Sequence, residues 1–181
     1  MGLEIERKFL VESTPPFHEL IEHYYIKQGV LMLQEHRSLR IRIDEVIVSS
    51  NRFIKKGTKT ATLCLKISKS NITRKEYEYN VDLKEAEELL SQTKCHNIEK
   101  DRYWIPGEYF PGECWPDGRR EMWEVDIFSG LNSGLWIAEI ELPSEDTKFK
   151  VPDWIGKEVT HDPKYLNTSL TSNPYTTWGQ L

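Results

Sequence analysis

Polar and apolar residues alternate with a period of two along most of this chain, the spacing of strands that turn one face toward a core. Leu3 to Leu10 alternates Leu3 and Ile5 against Glu4, Glu6 and Lys8. Leu39, Ile41 and Ile43 alternate with Arg40 and Arg42, and Leu63, Leu65 and Ile67 with Cys64 and Lys66. Arg74 to Tyr79 sets Arg74, Glu76 and Glu78 on one side, and Ile98 to Trp104 places Lys100 with Arg102. Trp123 to Phe128 opposes Glu124 and Asp126 to Val125 and Ile127, and Trp136 to Leu142 opposes Glu139 and Glu141 to Ala138, Ile140 and Leu142. Helical spacing is scarcer. Leu83 to Gln92, capped by Asp82, predicts a short helix, and Phe17 to Tyr24, Pro152 to Thr160 and Lys164 to Leu170 suggest others. Asp44 to Lys59 and the Gly- and Pro-rich Pro106 to Arg120 read as loops or hairpin excursions. Many closely spaced strands with few helices predict an antiparallel sandwich or barrel with helices outside.

The polar faces of these strands are unusual. Glu4 and Glu6, Arg40 and Arg42, Lys100 and Arg102, Glu124 and Asp126, and Glu139 and Glu141 are pairs of one sign at i and i+2. Such residues project from the same face, where like charges repel. Each pair alone reads as a solvated surface. Together, acidic and basic pairs in comparable number need neutralising partners. Opposite pairs could meet across a sheet. A divalent cation among the carboxylates and a polyanion among the bases would neutralise them equally well, inside a barrel with a polar interior. No GxxxxGK[ST] loop is present, so this is not a P-loop site.

Composition narrows the classes further. The chain has 181 residues, 38% hydrophobic and 29% charged, with a formal net charge of −5. That suits one globular domain over 1–181, with 171–181 as a C-terminal tail, and gives no general attraction to nucleic acid or acidic membranes. No apolar run approaches the about 20 residues of a spanning helix. The N-terminus carries acids where a secretory signal has a basic flank and an apolar stretch, which predicts a cytoplasmic protein. Cys64, Cys95 and Cys114 form no CxxC and read as free thiols in a reducing compartment. His18, His23, His36, His96 and His161 share no ligand spacing and read as surface groups. The six tryptophans read as packing residues, with Trp154 and Trp178 pinning tail helices on the barrel.

Glu4-Ile5-Glu6-Arg7-Lys8 resembles the E-x-E-x-K signature of the triphosphate tunnel metalloenzymes, the CYTH superfamily. The similarity continues in order along nearly the whole chain. Ile26 to Leu31 resembles its "QGYL" strand, Leu39 to Arg42 its R-x-R strand, and Leu65-Lys66 with Arg74 to Glu78 its "LK…R-x-E-x-E". Ile98 to Tyr103 is close to "IEKxRY", Trp123 to Gly130 to "WEVDxFxG", Ala138 to Leu142 to "AEVEL", and Val151 to Asn167 to "lPxWxGxEVTxDxxYxN".

The resemblance implies a mainly β (α+β) fold: a closed eight-stranded antiparallel barrel forming a tunnel, with helices packed outside. It implies a hydrolase of triphosphate-containing substrates, first of all inorganic tripolyphosphate, using Mg²⁺ or Mn²⁺. Glu4, Glu6, Glu139 and Glu141 would hold the metal. Lys8, Arg40 and Arg42, with Glu4, would serve catalysis, and Lys66, Arg74, Lys100, Arg102 and Lys164 would hold the phosphates. Glu76, Glu78, Glu124 and Asp126 would complete the acidic lining. The partner expected is a small-molecule triphosphate, with no nucleic acid and no membrane, for a monomer or homodimer. The chain departs from the family pattern at Val30, which replaces the tyrosine of "QGYL" and removes any hydroxyl contact there, at Lys164, which stands where arginine is frequent, and in the long Asp44 to Lys59 and Pro106 to Arg120 stretches, which bear on tunnel access and substrate choice. The alternatives are a class IV-type adenylyl cyclase, which shares E-x-E-x-K, and a non-catalytic barrel that binds polyphosphate or nucleotide.

Overall fold

The computed structural model describes residues 2–49, 55–68, 73–108 and 121–179. Its strands are β1 (Gly2–Val11), β2 (Glu22–Gln34), β3 (Arg37–Ser49), β4 (Lys59–Ser68), β5 (Thr73–Asn80), β6 (Ile98–Pro106), β7 (Met122–Phe128), β8 (Trp136–Glu141) and β9 (Ile155–Glu158). The two α-helices are α1 (Leu83–Ser91) and α2 (Asn167–Leu170). The strands run β5-β4-β3-β2-β6-β7-β8-β1, and β1 pairs back onto β5. Eight antiparallel strands therefore close on themselves, which satisfies edges that would otherwise seek other chains. β9 adds to the part of the β1 edge that β5 leaves open.

Register decides what fills the bore. Directly opposed residues of an antiparallel pair share a face. Lys8 opposes Glu139 and Glu6 opposes Glu141. Arg74 opposes Glu4, Lys66 opposes Glu76, Arg102 opposes Asp126 and Glu124 opposes Glu139. The like-charged pairs thus share the inner face, and acid meets base across the β1–β5, β1–β8, β4–β5 and β6–β7 boundaries.

The alternate positions point outward and are covered. Ala86 and Leu90 of α1 pack on Ile41 and Ala61. Asp82 caps that helix by accepting from the Lys84 and Glu85 amides, as the sequence predicts. Gly29 lies beneath the turn after α1, where a Cβ would come within 2.5 Å of both Asn97 Oδ1 and Thr93 Cγ2. Only glycine fits so close an approach, which is the local reason for the glycine of the β2 motif. A second outer cluster joins Phe9, Ile105, Val125 and Ile140 to Phe149 and Trp154 around the fully buried Trp123. Trp123 meets Phe9, Phe149 and Trp154 edge-on at 5.7, 5.8 and 5.6 Å. Burying each such side chain contributes about 1.5–3 kcal/mol.

A third cluster lies inside the barrel. Ile98, Phe128 and Ile137 stand two residues from Lys100, Asp126 and Glu139 and so share their face. Leu170 of α2 is buried against them, with Tyr165, Tyr175 and Trp178 packed around it. The tail closes one part of the barrel end instead of lying on its outer wall. Helices packed outside therefore describes α1 but not α2.

Other predicted elements change in the same way. Phe17 to Tyr24 is not a helix: a 3₁₀ turn covers Phe17–Glu19 and β2 begins at Glu22. His23, Tyr24, Tyr25 and Ile26 pair with β6 instead, as aromatic and β-branched residues favour. Pro152 to Thr160 forms β9, because the open β1 edge offers a ladder that a short isolated helix cannot match. Lys164 to Leu170 splits into a 3₁₀ turn over Pro163–Tyr165 and α2. Trp154 packs on the outer wall, not on a tail helix. Of the Asp44 to Lys59 excursion, the first part extends β3 to Ser49. Residues 50–54, residues 109–120 of the second excursion, Cys114, and 180–181 of the tail lie outside the described residues. Cys64 and Cys95 are free thiols. Among the described residues no helix is long and apolar enough to cross a membrane.

Glu121, just before β7, is buried, and neither of its carboxylate oxygens has a hydrogen-bond partner among the described residues. Burial, reinforced by Glu108, pushes its pKa up to about 7. A carboxyl raised on folding stabilises least when ionised. Its contribution is intact below the unfolded value of 4.5 and falls away as pH rises toward 7. The expected loss is on the order of 2–3 kcal/mol. Glu121→Gln should therefore match the parent in thermal unfolding at pH 4.5 and exceed it in stability at pH 8. Equal stability of the two proteins at pH 8 would show that this carboxylate is solvated.

Candidate active site

The bore opens into a cavity of about 770 Å³. Glu4, Glu6 and Lys8 of β1 line it, with Arg40 and Arg42 of β3, Lys66 of β4, and Arg74, Glu76 and Glu78 of β5. Arg102, Glu124, Glu139 and Glu141 complete the charged wall. The β2–β3 turn (Gln34, Glu35, His36, Arg37) and the tail segment (Thr160, His161, Pro163, Leu166, Asn167, Thr168) border it.

Each lysine and arginine of the bore has a carboxylate partner. Lys8 pairs with Glu139 and, at 3.1 Å, with Glu6. Arg74 pairs with Glu6, and Lys66 with Glu76 and, at 3.2 Å, with Glu4. Arg40 lies 3.6 Å from Glu78, and Arg42 donates to Asp44 at 2.9 Å. Arg102 is the hub. It donates to Asp126 at 2.6 and 2.7 Å, to Glu139 at 2.7 Å, and also to Glu124.

These contacts spread the titrations apart. Burial works against charge on Glu139, but Lys8, Arg102 and Lys100 outweigh it and hold the carboxyl well below its usual range. Burial also opposes the charge of Lys8, yet Glu139 and Glu6 raise its pKa. Burial raises Glu4, and the Lys66 ammonium offsets only part of this. Glu76 goes down despite burial, because it is hydrogen-bonded to Glu4 and faces Lys66. The wall therefore sets a carboxyl whose pKa is raised, Glu4, beside one whose pKa is lowered, Glu76.

Three expected site residues lie elsewhere or deeper. Lys100 and Asp126 are almost fully buried and paired with each other beneath the cavity, above the Leu170 cluster. Burial and the nearby Arg102 lower Lys100 to a pKa of about 8. It is not among the residues that line the cavity. Lys164 is exposed and turned away, with its ammonium 4.1 Å above the Trp178 ring. Its place in the tail motif gave no sign of this, since it depends on how the tail docks. Other wall residues were missed. Gln28 is two residues from Val30 in the same alternation, and Asp44 two residues beyond Arg42, so both had a local signal. Thr160 stands in the tail motif, with no role assigned to it from sequence, and His161, read as a surface group, stands at the rim.

A closed antiparallel barrel with acid–base pairs across its bore defines a charged-tunnel protein, one that handles polyanions in its interior. The chain belongs to the inorganic triphosphatase family. It is 42% identical over 177 residues to an inorganic triphosphatase of Acetivibrio thermocellus, covering 97% of each protein. It is 34% identical over 169 residues to one of Nitrosomonas europaea, covering 92% of this chain and 95% of that one. The crystal structure of an inorganic triphosphatase superposes with a TM-score of 0.58 at 34% identity, over 94% of this chain and 95% of that one. No family model matches the chain.

Proposed function

We propose that this protein is a triphosphate tunnel metalloenzyme that hydrolyses inorganic tripolyphosphate to pyrophosphate and phosphate with Mg²⁺ or Mn²⁺. The observation that carries this reading is the internal pairing of the bore, in which Lys8, Arg40, Arg42, Lys66, Arg74, Lys100 and Arg102 each have a carboxylate within 4 Å. A metal–triphosphate complex offers both halves of an exchange. Its phosphate oxygens would replace the carboxylates as partners of the bases, and the carboxylates so released would hold the cation.

The donor set fits a hard divalent cation. Glu4, Glu6, Glu139 and Glu141 offer carboxylate oxygens from adjacent strands, with Glu6 and Glu141 in direct register. A cation held there would polarise a phosphoryl oxygen and lower the pKa of bound water. The chain's own residues do the rest. Arg40, Arg42, Lys66 and Arg74 hold and align the phosphates from β3, β4 and β5. Lys8 of β1 and Arg102 of β6 offset the charge that shifts onto the leaving pyrophosphate. A carboxylate of the acidic wall accepts the proton of the attacking water.

The test is phosphate release from tripolyphosphate, with ATP in parallel, in Mg²⁺, Mn²⁺ or EDTA, for the parent protein and Glu6→Ala. Release from tripolyphosphate should exceed release from ATP and stop in EDTA. It should fall at least about a hundredfold in the variant. Cyclic AMP formed from ATP, or metal-dependent binding without turnover, would overturn the proposal.

A further inference from the structure

The edge of β1 changes partner around Lys8. Gly2 to Ile5 pair with β5, and Phe9 and Val11 pair with β9. Between them the edge would be open at Lys8. Two contacts from the tail close it. The Val159 amide donates to the Lys8 carbonyl at 2.8 Å. The Lys8 amide has no main-chain acceptor on that side and donates to the Thr160 hydroxyl at 3.0 Å. A side-chain oxygen thus stands in for the missing carbonyl of the ladder.

That hydroxyl is itself fixed. It donates to Glu158 Oε1 at 2.6 Å. Glu158 is gripped from the outer face by Arg7, whose Nε and Nη2 reach its two oxygens at 2.8 and 2.5 Å. Arg7 in turn lies over the Phe9 and Phe149 rings, at 5.5 and 5.1 Å. Both ends of the connection are determined: Thr160 is buried and borders the cavity, and Lys8 points into the wall between Glu6 and Glu139.

We infer that Arg7, Glu158 and Thr160 form a positioning device that fixes the Lys8 main chain, and through it the Lys8 ammonium, for triphosphate hydrolysis. The inference rests on the proposed triphosphatase activity for its kinetic part. Without the hydroxyl the Lys8 amide would lose its acceptor and only the Val159 contact would hold this edge, letting the side chain shift relative to Glu139, and small misplacements of a reacting group are costly. Arg40, Arg42, Lys66 and Arg74 stand on other strands, so substrate affinity should survive the loss of this contact.

The experiment compares Thr160→Val and Thr160→Ser with the parent protein. Valine keeps the shape and removes the hydroxyl; serine restores it. Thr160→Val should lower kcat for tripolyphosphate by about tenfold to a hundredfold with KM within about twofold, and Thr160→Ser should return kcat to within about twofold. Independently of activity, the Lys8 amide should exchange with solvent at least about tenfold faster in Thr160→Val, with the amides of β8 unchanged. If Thr160→Val does not fold, Glu158→Gln takes its place, and is expected to lower kcat and speed Lys8 exchange in the same sense. Unchanged kcat and unchanged Lys8 exchange, or a loss that serine fails to repair, would overturn the inference. A parent protein that releases no phosphate would defeat the proposed function instead, and Lys8 exchange would still decide whether Thr160 holds this strand.

Discussion

Arg102→Ala should cost both the fold and the chemistry more than any other single change in the bore. Its guanidinium satisfies Asp126, Glu139 and Glu124 at once. Asp126 and Glu139 are buried, so neither can turn to bulk water when the arginine is lost. Breaking a buried pair from one side costs about 3–5 kcal/mol, since the remaining charge stays desolvated. For a chain of this length that corresponds to a fall in Tm of about 10 °C. Activity should fall by about a hundredfold to a thousandfold if Arg102 stabilises charge on the leaving group.

The pH dependence fixes the sign. Glu139 is depressed on folding, so its contribution is present above the unfolded value of 4.5 and is lost as pH falls. The gap in Tm between Arg102→Ala and the parent should therefore be wider at pH 7.5 than at pH 4, and should close only at still lower pH, as Glu139 of the parent takes up its proton. Calorimetry at the two pH values measures this. A gap that does not change with pH would mean that the loss is one of packing, not of charge.

Leu170→Asp should open the floor. Leu170 is fully buried against Ile98, Phe128, Leu135 and Ile137. Truncating such a leucine to alanine costs about 2–5 kcal/mol, and an unpaired carboxylate there adds a desolvation cost. The tail has an easier route than global unfolding, because a terminal segment can undock alone. The expected result is a lower Tm together with rapid proteolysis after Lys157 or Lys164, while the barrel strands stay protected. Leu166, Asn167 and Thr168 border the cavity, so KM for tripolyphosphate should rise as well. Cleavage spread evenly over the chain would show that tail and barrel unfold as one unit.

Much of this site was legible along the chain, and the reason is local. A strand sends alternate residues to opposite faces whatever it pairs with. Glu4, Glu6 and Lys8 share a face for that reason alone, as do Arg40 and Arg42, and Glu139 and Glu141. The like-charged pairs also called for neutralising partners, but whether those were opposite pairs across a sheet, a cation or a polyanion stayed open in the sequence.

Depth along the bore was not legible. Lys100 and Arg102 make one R/K pair in sequence, yet Arg102 lines the cavity and Lys100 lies under its floor. Ile98, Phe128 and Ile137 were apolar residues in the charged phase of their strands, a hint that the bore changes character along its length. Only the pairing of β6, β7, β8 and β1 brings them to one level, where Leu170 can cover them. Lys164 shows the same limit in the tail, where docking turned a motif lysine onto Trp178. The amino-acid sequence by itself determined which side chains face inward, because that follows from the two-residue repeat of a strand. Tertiary structure decided which charges meet, which are sealed from water, and that a threonine 152 residues away completes the edge at Lys8. Those depend on register between strands distant in the chain, which no local pattern encodes.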